Sequence, residues 1–388
     1  MKWFYRCSTC DSTYRIIPGR YLCDHCARRQ QPERPLEGIL EVEWEGQPTP
    51  GVIPLPIEAE WFPPIPVGNT PLWSPERLRS EFKTPNLWIK DDSCNPSGSL
   101  KDRASFLVAA FARKHGVKEI VLASTGNAAS SMAAVGAASG ISVKVFLPAQ
   151  APVAKRIQVL QYGAELIPVD GTYDQAFDLS LAYSNRTGAL SRNTAYNPLT
   201  IEGKKSVAFE MVDDLLKAAA VEPDHVFVSA GDGVILAGVY RGFENLLKLG
   251  RIKSIPTVWA CQAEGSSAIA RAWASAHSDS DAFADPRPSR TVADSIAVDV
   301  PRNGLHALAK LRRYDGKAIT VSDGEILAAQ KKLSSAAGLF AEPSSSAALA
   351  GWLKARERIP AQAHCVVLIT GTGLKDIKSA AQGLGLDY

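Results

Sequence analysis

From residue 86 onward the chain repeats one pattern, and that pattern constrains the fold more than any other feature. Short apolar runs of strand length stand at 86–90, 119–123, 143–147, 166–169, 225–229, 257–262 and 365–369. Longer runs with helical character separate them, at 104–114, 128–138, 153–162, 173–184 and 234–249. Strand and helix in alternation predict an α/β protein with mainly parallel sheets, because a parallel strand needs a crossover connection and a helix supplies it. Roughly 300 residues of this pattern exceed one domain.

Bulk properties narrow the function. The chain has 388 residues, 46% hydrophobic and 21% charged, an ordinary globular composition. A formal net charge of +3 is too weak to argue for nucleic acid or a membrane surface. No apolar run approaches a membrane span, and the first residues, MKWFYRCSTC, lack the apolar core of a signal peptide. The expectation is a cytoplasmic protein without nucleic-acid or membrane partners.

Four of the seven cysteines cluster as C-x2-C, twelve residues, C-x2-C: Cys7, Cys10, Cys23 and Cys26. Two such knuckles supply four thiolates to tetrahedral zinc and leave no open coordination position, so the expected site is structural. His25 is read as a bystander. Cys94, Cys261 and Cys365 are scattered, and packing is their default reading. After the cysteines comes a proline-rich stretch, 31–66, expected as extended chain and turns. Residues 278–290, SDSDAFADPRPSR, are the most loop-like part.

In open parallel sheets, ligands bind beyond the carboxyl ends of the strands. Three such ends carry glycine turns: Ser124-Thr125-Gly126-Asn127, Ala230-Gly231-Asp232-Gly233 and Thr370-Gly371-Thr372-Gly373. Lys101 stands at another expected helix start, among Ser97, Gly98 and Ser99. Backbone N–H groups and the dipole at a helix start favour an anion. Three turns plus a lysine suggest a ligand with a phosphate and a carbonyl.

The residues of these turns resemble a known family. NPSGSLKDR at 95–103, STGN at 124–127 and LITGTGLKD at 368–376 resemble the fold-type II pyridoxal-phosphate enzymes, most closely the threonine synthases. The resemblance continues in order through Gly68-Asn69-Thr70-Pro71-Leu72, Tyr162-Gly163-Ala164, Asn197-Pro198, Ile201-Glu202-Gly203 and Glu342-Pro343-Ser344. The cysteine module followed by GILEVEWE also resembles that family. It implies a two-domain α/β architecture like the tryptophan synthase β chain. A zinc-ribbon-like module would span 1–35, a large cofactor domain 36–100 and 205–388, and a small α/β domain 101–204. The working form would be a homodimer.

The resemblance also assigns roles. Lys101 would carry the cofactor and act as catalytic base and proton donor. Gly231, Asp232, Gly233 and Val234 would cradle the cofactor phosphate, Asn127 would bond the ring hydroxyl, and Thr370 would face the ring nitrogen. Ser124, Thr125 and Asn127 would receive the substrate carboxylate. A hydroxyl cannot keep a pyridine protonated as a carboxylate would, so the ring would be a weaker electron sink, suited to elimination and replacement on the side chain.

Four positions depart from the threonine synthase pattern. Ala128, Ala195 and Thr200 stand where that family tends to place substrate-phosphate ligands, an arginine in the last case, and Asp232 brings a carboxylate to the phosphate turn. Lys155 is retained, with Arg156 beside it; both are expected substrate residues, and Ala128, Ala195 and Thr200 are expected to line one wall of the substrate side-chain pocket. The readings are a lyase converting O-phospho-L-homoserine to L-threonine, a related lyase or deaminase acting on a non-phosphorylated amino acid, or a non-catalytic regulatory protein keeping the fold.

Overall fold

The computed structural model describes residues 1–149, 153–275, 277 and 281–387. It divides into two compact units. The first comprises residues 1–30, 36–67 and 95–204; the second comprises 31–35, 68–94 and 205–388.

The first unit holds a four-stranded parallel sheet in the order Glu165–Val169, Ser142–Pro148, Glu119–Ala123, Leu190–Ser191. Helices Lys101–Lys114 and Asn127–Ser139 precede and follow the strand Glu119–Ala123. Both are rich in alanine and serine, so their backbones pack closely. The helix Asn127–Ser139 also approaches the strand Ser142–Pro148 closely, since a Cβ at Gly136 would come within 2.4 Å of a Val143 methyl. The helix Tyr173–Thr187 starts at a capping box, with Thr172 and Gln175 each bonding the other's backbone, and ends at Gly188 in the left-handed region.

A second, antiparallel sheet in this unit runs Thr13–Tyr14, Lys2–Cys7, Leu40–Glu45. The strand Leu40–Glu45 falls inside the proline-rich stretch that the sequence presents as extended chain and turns. It alternates buried and half-buried residues and pairs with Lys2–Cys7 over six positions. That pairing ties residues 36–67 to the first unit. Within this unit residues 1–30 do not pack alone: Tyr5, Cys7, Cys23 and Cys26 share one hydrophobic core with Leu107, Phe111, Met132 and Val145.

The second unit is built on a six-stranded sheet ordered Lys317–Val321, Thr257–Ala263, His225–Ser229, Cys365–Ile369, Leu87–Asp91, Leu72–Trp73. All neighbours are parallel except the last pair. The central strand Cys365–Ile369 is buried at every residue, as expected of a strand covered on both faces. The helices include Val234–Lys248, Asp323–Ala337, which opens on a Ser322–Glu325 capping box, and Pro343–Ala355, with proline in its first turn.

The strands at 119–123, 225–229 and 365–369 fall where the sequence places them, and the other expected strands and helices shift at their ends by up to three residues. In the loop at 278–290, residues 278–280 lie outside the described residues, and Asp281–Phe283 forms a turn of 3-10 helix. Among the described residues no helix is long and apolar enough to cross a membrane.

Candidate active site and cysteine cluster

In the first unit, Lys101 is the first residue of the helix Lys101–Lys114 and is half-buried. The preceding loop is shaped by Asp102, whose buried carboxylate accepts the Ser97 N–H at 2.7 Å and the Ser97 hydroxyl at 2.5 Å. An acidic group in the first helical turn also complements the helix dipole. Gly98 takes φ +82°, a backbone that a residue with a Cβ would resist. Ser99, two residues before the lysine, has a buried Oγ without a hydrogen-bond partner. A buried hydroxyl left unpaired is costly and is the kind of group a bound polar ligand completes.

Asn127 starts the neighbouring helix Asn127–Ser139 and is buried; Ser124, Thr125 and Ala128 around it are half-buried. The structure brings Lys101 and Asn127 onto facing first turns. Ser105 and Ser131 each follow four residues later, on the same faces, and the Ser131 hydroxyl donates to Ser105 Oγ at 2.7 Å.

Thr200 and Ala195 are fully buried. The Thr200 hydroxyl donates to the Asn197 carbonyl at 2.7 Å, so it serves its own turn. Ala195 adopts φ +67°, the left-handed region, which an alanine enters at a cost of about 1–2 kcal/mol. Gly203 explains part of this segment's motif: a Cβ there would stand 2.3 Å from the Arg103 carbonyl oxygen. Arg156 is half-buried on the helix Val153–Gln161; the Lys155 side chain lies outside the described residues.

In the second unit, the turn Ala230–Gly233 leaves the carboxyl end of the strand His225–Ser229 and opens the 15-residue helix Val234–Lys248. Gly231 is required because a Cβ would lie 2.7 Å from the Ile296 backbone, and Gly233 because φ is +86°. The amides of Gly231, Gly233 and Val234 are not taken by any acceptor among the described residues. Free N–H groups at the positive end of a helix form the donor set a phosphate needs. The Asp232 carboxylate is bonded to the Arg302 N–H, and the Asn303 side chain donates to the Gly233 carbonyl at 3.1 Å. The aspartate therefore serves the turn's own shape as an acceptor.

Thr370 ends the adjacent parallel strand Cys365–Ile369 and is buried, with its hydroxyl 2.9 Å from that of Ser345. The glycine after it lies against Glu342, whose carboxylate would stand 2.6 Å from a Cβ at Gly371 and would have to move aside. The sequence reading missed Ser345 and Asn303, and named Ser99 only as one of the small residues around Lys101. Ser345 directly follows Glu342-Pro343-Ser344, a signal that was available; nothing local marks Asn303.

The four sulfurs of Cys7, Cys10, Cys23 and Cys26 all lie within 4.8 Å of one another. Cys7 and Cys26 are 3.8 Å apart, Cys10 and Cys23 3.6 Å. The Ser12 side chain and backbone bring the Cys10 thiol down to about 6, whereas burial and the neighbouring thiols push Cys26 up. A metal–sulfur bond of about 2.3 Å gives a tetrahedral edge of about 3.8 Å, so the donor set fits a four-coordinate ion.

Known proteins are similar to this chain over most of its length. The family model of pyridoxal-phosphate dependent enzymes matches residues 65–371. A threonine synthase of Synechocystis is 33% identical over 320 residues, 82% of this chain and 80% of that protein. That of Methanosarcina acetivorans is 34% identical over 327 residues, 83% and 78% of the two chains. That of Mycobacterium tuberculosis is 30% identical over 347 residues, 87% and 92%. Among solved structures, the processed form of threonine deaminase isoform 2 from Solanum lycopersicum superposes with a TM-score of 0.68 at 20% identity, covering 81% of this chain and 87% of that one. Maize serine racemase gives 0.68 at 22% identity, covering 81% and 91%; these two speak to the fold alone. A lysine at a helix mouth beside an unpaired buried hydroxyl, a phosphate-ready turn and a family match across both units converge, and the chain belongs to the pyridoxal-phosphate-dependent enzymes of fold type II, as a threonine-synthase-like lyase.

Proposed function

We propose that the chain converts O-phospho-L-homoserine to L-threonine, with Lys101 as the residue that carries the cofactor and moves the substrate proton. The observation that supports this most is identity of 30–34% to threonine synthases, with Lys101 at the start of its helix and Asn127 on the facing turn.

Bound pyridoxal phosphate supplies an electron-withdrawing ring that acidifies the carbon hydrogens of an attached amino acid. The chain's own groups would do the rest. The N–H groups of Gly231, Gly233 and Val234 hold the cofactor phosphate, with Asp232 shaping the turn. Thr370 offers a hydroxyl, not a carboxylate, to the ring nitrogen. Asn127 bonds the ring hydroxyl and, with Ser124 and Thr125, receives the substrate carboxylate. The amine of Lys101 takes the Cα proton and returns one later in the reaction. Lys155 and Arg156 would contribute cationic groups to the substrate side.

The thiolates of Cys7, Cys10, Cys23 and Cys26 would hold one structural zinc ion. Sulfur spacings of 3.6 and 3.8 Å support that reading.

One observation favours a second reading, in which the substrate carries no phosphate. Thr200 holds no charge and spends its hydroxyl on Asn197. Measuring released inorganic phosphate and threonine from O-phospho-L-homoserine, against ammonia released from serine and threonine, separates the two. Ammonia without phosphate would overturn the first.

A further inference from the structure

Arg192 follows the short strand Leu190–Ser191 in the first unit, and its side chain is fully buried. Its Nε donates to Ser105 Oγ at 3.2 Å and its Nη1 to Thr194 Oγ1 at 2.7 Å. Its Nη2 is buried and has no hydrogen-bond partner. Both partners are neutral hydroxyls, and no carboxylate lies within ion-pair distance among the described residues.

Three other buried cations in this protein have carboxylate partners. Lys90 lies 3.0 Å from both Glu210 and Asp214, Arg241 lies 2.7 Å from Glu244, and Lys310 lies 2.6 Å from Glu244. Burying a charge without a counter-charge is expensive. Burial pushes the Arg192 guanidinium down to about 10, with Tyr173 and Asp102 acting the other way, so it stays charged at neutral pH.

Its position is the second observation. Ser105 lies one helical turn beyond Lys101, and it also accepts from Ser131, one turn beyond Asn127. The Arg192 N–H donates to the Val121 carbonyl, and the adjacent Asn193 side chain accepts the Ala123 N–H at 2.7 Å. The main chain at 192–193 therefore joins the strand Glu119–Ala123, and the Arg192 guanidinium lies against Ser105, one turn into the helix that Lys101 opens. Three residues on, Ala195 holds its strained left-handed backbone. Such strain persists where the surrounding structure enforces it and tends to mark ligand sites.

We infer that Arg192 is a specificity-determining residue that receives an oxyanion of the amino-acid substrate, through the N–H groups of its unpartnered Nη2. Two sources share that chemistry, the phosphate ester on the side chain and the α-carboxylate. The inference rests on the lyase reading above for the identity of the substrate, but not for the presence of an anion site. A guanidinium is well matched to either oxyanion and supplies at position 192 a charge that Thr200 lacks.

The test uses the holoenzyme, whose own cofactor phosphate occupies its turn, as wild type, Arg192→Met and Arg192→Lys. Inorganic phosphate, O-phospho-L-homoserine and L-homoserine are titrated, read by thermal shift and by the change in cofactor absorbance. Wild type should gain stability with phosphate, and R192M should lose that gain. R192M should weaken O-phospho-L-homoserine by about 30-fold or more, and R192K by about tenfold, since lysine keeps the charge and loses the fork. Unchanged L-homoserine binding assigns the site to the phosphate ester; equal weakening of both amino acids assigns it to the α-carboxylate. Binding of all three probes within twofold of wild type in either folded variant overturns the inference. So does a wild type that responds to none of them. If wild type binds phosphate through Arg192 but neither amino acid, the lyase reading fails and the anion site stands.

Discussion

Ser345 holds Thr370 at two points: its Oγ accepts the Thr370 N–H at 3.1 Å and lies 2.9 Å from Thr370 Oγ1. The same Oγ donates to the Gly371 carbonyl at 3.1 Å. A serine has one proton, so with that proton on Gly371 the hydroxyl of Thr370 is the donor in the 2.9 Å contact. A ring nitrogen placed at Thr370 would compete with Ser345 for that proton. Ser345→Ala should free the Thr370 hydroxyl but cost about 1–3 kcal/mol in stability, because a buried amide loses its acceptor. Chemical denaturation measures the loss, and wild-type stability in the variant would refute the arrangement.

Lys101→Ala should abolish the yellow colour of the covalent lysine–cofactor linkage and lower turnover on the order of 10²–10⁴-fold or more, the usual worth of a positioned acid–base group. Because the phosphate turn belongs to other residues, the variant should still bind pyridoxal phosphate reversibly. A wild type that stays colourless with added cofactor would remove lysine attachment from the account.

Gly203→Ala tests how closely the turn Leu199–Glu202 approaches the Lys101 helix. A new Cβ would meet the Arg103 carbonyl oxygen at 2.3 Å and the Ala104 Cα at 2.9 Å, all backbone that cannot swing aside. Overpacking of this kind costs about 1–3 kcal/mol. The variant should melt lower and lose activity through displacement of the helix start; an unchanged Tm would show that the backbone gives way easily.

One zinc ion per chain is expected on elemental analysis, lost together with protons taken up at low pH, since the four ligands must be thiolates. The cluster shares its core with the Lys101 helix, and the Tyr21 hydroxyl accepts the Ser191 N–H at 2.8 Å. Metal removal should therefore speed hydrogen exchange at Ser191 as well as in the first residues. Exchange confined to residues before 30 would contradict that coupling.

Tyr21→Phe isolates the same link without touching the metal. It leaves the Ser191 amide unpaired and should cost about 1–3 kcal/mol. Its ring lies 4.9 Å from that of Tyr196, tilted by 35°, a contact phenylalanine keeps, so the loss reads the hydroxyl's hydrogen bonding.

Local information was enough for much of this protein. The apolar runs at 119–123, 225–229 and 365–369 specify strands by their own composition, and buried central strands of a parallel sheet need nothing else to be recognised. The cysteine spacing determined a four-sulfur cluster, because short C-x2-C loops bring their sulfurs together whatever surrounds them. Lys101 was legible for a similar reason, since a helix start is marked by the residues beside it. The tertiary structure decided the rest. Leu190–Ser191 and Leu72–Trp73 are strands of two residues, formed because a neighbour offers free backbone groups. Leu40–Glu45 pairs with Lys2–Cys7 across more than thirty residues of chain, many of them reading as turn. Arg192 and Ser345 are polar, and a polar residue in a sequence reads as surface. Only the packing of distant segments placed them in the interior, where water no longer competes and each hydrogen bond made or left unmade carries its full weight.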